Sequence, residues 1–201
     1  MPVAARLATL SRQCWCFAIG SSLFAIATIP ELGPPAVAAN VLCFIGSWFF
    51  TTAGWMQLVL SNPAARSEWL SAATQFAGTV LFNVSTGSAV WATAVSTERR
   101  FVWAPDATGS VAFLVSGVLG LVALGAAAQL RDRAAAWTNM IGCIAFGASA
   151  VGAFVFKSGA AENASMADLG TFVGALCFLV AALLVLPRFR HARPVAEPSE
   201  V

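Results

Sequence analysis

The chain has 201 residues, 59% of them hydrophobic and 10% charged, and a net charge of +2; its mean hydropathy is +0.79. Soluble domains average about 25% charged residues, so an ordinary soluble protein is excluded. The small charge excess implies neither a nucleic-acid surface nor an acidic partner. Ten of the eleven basic residues are Arg and Tyr is absent, the composition of a GC-rich bacterial genome.

Six apolar stretches fill most of the chain, at residues 14–29, 36–60, 69–95, 108–130, 137–156 and 169–186, and none has an ionised residue at its centre. A spanning helix needs about 20 apolar residues, and lipid leaves backbone amides no partner outside a helix or closed barrel. The expectation is an all-α membrane protein, with six transmembrane helices in one domain over residues 1–186 and a tail at 187–201. The missing intramembrane charge removes the usual marker of proton, ion and substrate paths.

Arg6 and Arg12 lead into the first stretch, and Ala36-Val37-Ala38 follows it. That is the outline of a cleaved signal peptide. A retained first span is preferred, because the second stretch begins at once and the first takes part in an internal repeat. Cys14-Trp15-Cys16 pairs two thiols near one membrane face, but a tetrahedral metal site wants four donors and the one His, His191, lies in the tail. These thiols, with Cys43, Cys143 and Cys177, read as small buried hydrophobes. Neither a metal, a cofactor nor a disulfide framework is expected.

Within the first stretch, Ile19-Gly20-Ser21-Ser22-Leu23-Phe24 is echoed in the second by Ile45-Gly46-Ser47-Trp48-Phe49-Phe50. Residues 16–24 together with 43–57 resemble the YrhK-like family of small membrane modules, a segment also carried by actinobacterial integral membrane proteins of about this length. The resemblance covers roughly residues 14–60. It implies a membrane-embedded segment and brings no assigned chemistry and no functional residues. Physically the motif reads as packing, since helices in lipid associate through small residues and side-chain hydrogen bonds. Gly20, Ser21, Gly46, Ser47, Gly142 and Cys143 are expected to form notches, and Phe24, Phe50 and Phe146 to fill neighbouring ones. Backbone lining a pore is the alternative.

The third stretch carries a polar stripe. Gln75, Thr79, Asn83, Thr86 and Thr93 share one helical face, between Phe76, Val80 and Val84. A buried amide needs a partner, so the stripe faces other helices, a subunit or water; it is either interhelical glue or a polar path. A local unwinding over residues 85–88 is a further alternative. Asn40 and Asn139, near the starts of spans two and five, and Gln57, in the inner half of span two, suggest caps or interfacial contacts. Residues 98–106 then read as a loop, in which Arg99 and Arg100 anchor the helix end or bind an anion, and Asp106, after Pro105, caps the fourth helix.

A 96-residue shift lays spans one to three over four to six. Gly46 falls on Gly142, Phe50 on Phe146, Gly78 on Gly174 and Phe82 on Phe178, while Gly20 meets Ser116. The repeats would be residues 14–95 and 108–186. Three spans is an odd number, so the halves would form an inverted 3+3 repeat, an architecture recurrent in secondary transporters. Gly170-x-x-x-Gly174 and Ser116-x-x-x-Gly120 are further small-residue pairs. The fifth and sixth stretches lead to a basic tail, which reads as a disordered stop-transfer segment.

The positive-inside count sets the orientation. Arg6, Arg12, Arg66, Arg131, Arg133, Arg188, Arg190 and Arg193 fall on the N-terminal side, against Arg99, Arg100 and Lys157 opposite. Both termini are therefore expected in the cytoplasm of a multi-pass protein of the bacterial plasma (inner) membrane. Trp15, Trp69 and Trp137 mark the inner interface, and Trp91 and Trp103 the outer one. With one His and no acid at mid-span, there are few candidates for acid–base catalysis, and no catalytic residue is assigned. The expected role is a non-enzymatic membrane-assembly or interaction protein whose partners are the lipid bilayer and a second copy or another membrane protein. The alternative is a small carrier or channel for an uncharged or lipid-like solute.

Overall fold

A computed structural model describes residues 7–125 and 128–187. Arg6, Arg188, Arg190, His191, Arg193 and the rest of the tail lie outside the described residues. Six long helices form: α1 (Leu10–Ala27), α2 (Ala36–Leu60), α3 (Arg66–Trp91), α4 (Ala104–Ala123), α5 (Leu130–Gly152) and α6 (Ala164–Val185). Among the described residues the only other pairing is one bridge, Val155 with Ala161, in the α5–α6 turn. Four helical stretches are long and apolar enough to cross a membrane: α2, the run Val95–Ala123, α5 and α6. α1 includes Arg12, Gln13, Ser21 and Ser22, and α3 carries the polar stripe; these residues hold the two helices below that apolarity.

Several boundaries differ from expectation. Residues 98–106 are not a loop. A single α-turn, Val95–Thr97, leads into a π-helical segment, Glu98–Trp103, that runs into α4. The π segment ends two residues before Pro105, which has no N–H to continue a ladder. Asp106 therefore sits inside a continuous helix rather than at its cap. Helix α3 is unbroken through residues 85–88 and ends at Trp91, which leaves Thr93 outside it. Helix α5 starts at Leu130, so Arg131 and Arg133 are helical.

The helices stand in a closed ring in chain order: each packs on its two sequence neighbours, and α6 packs on α1. The most extensive contacts lie within three hairpins, α1–α2, α3–α4 and α5–α6. Each hairpin closes through the same device. Every helix carries glycine, a small residue, two further residues and Phe: Gly20/Phe24, Gly46/Phe50, Gly78/Phe82, Gly109/Phe113, Gly142/Phe146 and Gly174/Phe178. Residues four apart lie on one helical face, so each Phe sits a turn from its own glycine and covers the partner's. A Cβ on Gly78 would stand 2.7 Å from the Phe113 ring, and one on Gly109 2.7 Å from Phe82; Gly142 and Phe178, and Gly174 and Phe146, repeat the fit at 2.7 and 2.6 Å. In the first hairpin a Cβ on Gly20 would meet Gly46 O at 2.9 Å and Phe50 at 3.0 Å. The residue after each glycine (Ser21, Ser47, Thr79, Ser110, Cys143 and Ala175) is buried.

The six rings meet at the centre. Phe24, Phe82 and Phe146, from the odd helices, lie 5.6–6.4 Å apart. Phe178 touches Phe50 and Phe113 from the even ones at 5.9 and 5.8 Å. Within hairpins the pairs close to 5.5, 4.9 and 5.2 Å, with Phe82 and Phe113 stacked. Edge-on and offset contacts of this kind are the favoured aromatic geometries.

Candidate functional site

The aromatic plug leaves no room for a water molecule among its rings. A cavity opens on each side of it. The first, about 240 Å³, lies at the end of the bundle where α1 begins and α6 ends. Gln13, Gln57, Gln75 and Asn139 line it from four different helices, with Asp132 also on its wall and Phe17 and Phe178 toward the plug. The second, about 350 Å³, lies at the opposite end. Glu98, Asp106 and Asp168 line it together with Asn40, Ser149 and Thr171. Among the described residues no Lys or Arg lines either cavity. The three acids of the second cavity are far apart in the chain, and only the ring brings them together.

The polar stripe divides between these surroundings. Thr79 is fully buried and donates to Phe76 O at 2.7 Å. Asn83 Nδ2 donates to Thr51 Oγ1 at 2.8 Å, and Thr51 in turn donates to Thr79 O at 3.2 Å. Thr86 Oγ1 donates to Phe82 O at 2.7 Å and lies 3.0 Å from Ser47 Oγ. These residues tie α3 to α2, at about 0.6 kcal/mol per interhelical contact in a membrane. Gln75 differs in facing the first cavity; it is 4% exposed, and its Oε1, like Asn83 Oδ1, has no hydrogen-bond partner. Beside it, Ser71 and Ser116 donate to each other's carbonyl oxygens at 2.8 Å, joining α3 to α4.

Other expected sites fall as follows. Gly20 with Gly46, and Gly142 with Phe178, are the notches described above, and Ser21, Ser47 and Cys143 lie buried behind them. Ser21 Oγ has no partner. Asn40 is no cap; its Nδ2 donates to Ala89 O of α3 at 3.0 Å. Asn139 makes a long contact of 3.7 Å to Cys143 Sγ. Arg99 and Arg100 lie over the rings of Phe154 and Phe101 at 5.6 and 5.4 Å, cation–π placements. Trp103 donates its indole N–H to Ala150 O at 2.9 Å and packs on Phe154, which ties the π segment to α5. Cys14 faces the first cavity and Cys43 the second. Among the described residues no group of three His, Cys, Asp or Glu side chains is placed to hold a metal. The chain matches no family model, no curated protein and no solved structure.

Proposed function

We propose that this is a bacterial plasma-membrane protein with six spans and both termini in the cytoplasm, acting as a small carrier or channel for an uncharged solute. The six-phenylalanine plug is its closed gate. The observation that carries this reading is the pair of cavities, each with polar side chains set in a largely apolar wall, back to back across an apolar plug. Among the described residues the cavity walls carry acids and no bases, which disfavours anions.

Six spans are supported by which way the two less apolar helices face. Between residues 71 and 90 the exposed residues of α3 are Ala77, Val80 and Val84; from Cys14 onward those of α1 are Trp15, Ile19 and Ile26. Their polar residues turn inward, so both present an apolar face to lipid. The small-residue notches that suggested an assembly role are filled from within the chain, which leaves them unavailable to a partner and favours the solute reading over the assembly one. The YrhK-like resemblance fits here as well, since residues 14–60 are the α1–α2 hairpin.

The ring also bears on the repeat. A half-turn about the ring axis brings α1 onto α4, but the two run in opposite directions. A two-fold axis in the membrane plane reverses the ring order, so it cannot carry α1, α2 and α3 onto α4, α5 and α6 together. A third of a turn carries hairpin onto hairpin with direction kept. We read the chain as three hairpin repeats rather than an inverted 3+3 pair.

The test is flux into proteoliposomes. Saturable, protein-dependent uptake of a small uncharged solute such as glycerol or benzamide, with a carboxylate of equal size refused, is the expected result. Liposomes holding folded protein that are no more permeable than protein-free ones across such a panel would remove the carrier reading.

A further inference from the structure

We infer that the cavity at the N-terminal end of the bundle is a binding site for a small uncharged molecule with an amide-like head and an apolar body. The inference deepens the solute reading above and rests on it for its purpose, though not for its geometry. Gln75 is the anchor. Its side chain is 4% exposed, it lines the cavity, and its Oε1 is buried with no partner in the chain. Native proteins leave few such groups unpaired, because burying a carbonyl oxygen without a donor is costly. A ligand N–H would supply the missing donor.

The other walls narrow the ligand. Gln13, Gln57 and Asn139 add three more carboxamides, and each carboxamide both donates and accepts. A head group that does the same, as an amide does, pairs with them better than a pure acceptor. Among the described residues Asp132 lines the wall and no Lys or Arg does, so a carboxylate or phosphate meets an acid rather than a base on the wall itself. Phe17 and Phe178 supply the apolar surface, and Phe178 belongs to the plug, so a ligand seated here touches the gate. About 240 Å³ lies below the usual range of roughly 300–1,000 Å³ for drug-sized pockets, which sets the ligand at the size of a single small ring.

The probe is benzamide, titrated against the full chain in lipid nanodiscs by ligand-observed NMR, with empty nanodiscs as the blank and benzoate as the charged analogue. Benzamide should bind and benzoate should not. Gln75→Leu should weaken benzamide about tenfold, the loss of one buried hydrogen bond. Gln57→Leu, at a half-buried position, is the second variant should Gln75→Leu fail to fold, and should also weaken binding. Absence of benzamide binding, equal binding of benzoate, or unchanged affinity in the folded variants would overturn the site. Binding without benzamide flux in proteoliposomes would keep the site and remove the carrier reading. Flux without binding would do the reverse.

Discussion

A single added methyl group tests the notches. In Gly170→Ala the new Cβ would lie 2.8 Å from Ala145 O and Ser149 N, and in Gly20→Ala 2.9 Å from Gly46 O. These are backbone atoms in a neighbouring helix and cannot rotate aside, so the helices must part. Overpacking of this kind costs about 1–3 kcal/mol, and thermal unfolding in detergent should show it. Gly125→Ala, with nothing within 4 Å, should stay within about 0.5 kcal/mol of the parent protein. Equal stability of all three would mean that close helix approach does not hold the bundle together. The residues of these notches were legible before the structure where the motif stood in an obvious register, as at Gly20, Gly46 and Gly142. Gly109 and Phe113 escape a rigid 96-residue offset, which lays Ser116 opposite Gly20. The signal was present in the letters Gly109-Ser110-Val111-Ala112-Phe113; what hid it was the assumption that loops keep their length between repeats.

Helices inherit their role from how these residues pair. The Gly–Phe reciprocity closes α1 on α2, α3 on α4 and α5 on α6, so each hairpin brings its own interface. A chain cut between hairpins keeps all three interfaces whole, whereas a cut inside one must rebuild the closest packing from separate pieces. Co-expressed fragments divided at residues 124–129 should therefore assemble into a detergent-stable complex, recovered through a tag on one fragment. Fragments divided at residues 92–94, the joint between triplets in a 3+3 arrangement, should assemble less well. The opposite order would favour the triplets. Element type was readable from apolar length, yet two limits had physical causes. Hydropathy cannot tell which face of α3 turns inward, so its polar stripe left both glue and path open; the structure gives Asn83 Nδ2 and Thr86 partners on α2 and leaves Asn83 Oδ1 and Gln75 Oε1 without one. A Pro next to an Asp looked like a helix start, whereas the π segment carries the helix back to Val95.

At the scale of the whole molecule, the ring and the plug together decide whether the two cavities ever communicate. Phe82 is the ring to remove. It stacks on Phe113 at 4.9 Å and touches Phe24 and Phe146 at 6.4 and 5.6 Å, and it also lines the second cavity. Phe82→Ala deletes a buried ring and should cost about 3–5 kcal/mol of stability, because the surrounding rings collapse only in part. If the plug is a gate, the void left behind joins the two cavities, and proteoliposomes should show a glycerol leak that no longer saturates. Sorbitol should follow more slowly and lactate should remain excluded, because the acidic side chains at the two cavities, Asp132 on one side and Glu98 on the other, are untouched. If the plug is only a core, the variant should lose stability with no gain in permeability while still folded. Measuring melting temperature and glycerol permeability on the same preparation separates the two, since a gate shifts both and a core shifts the first alone.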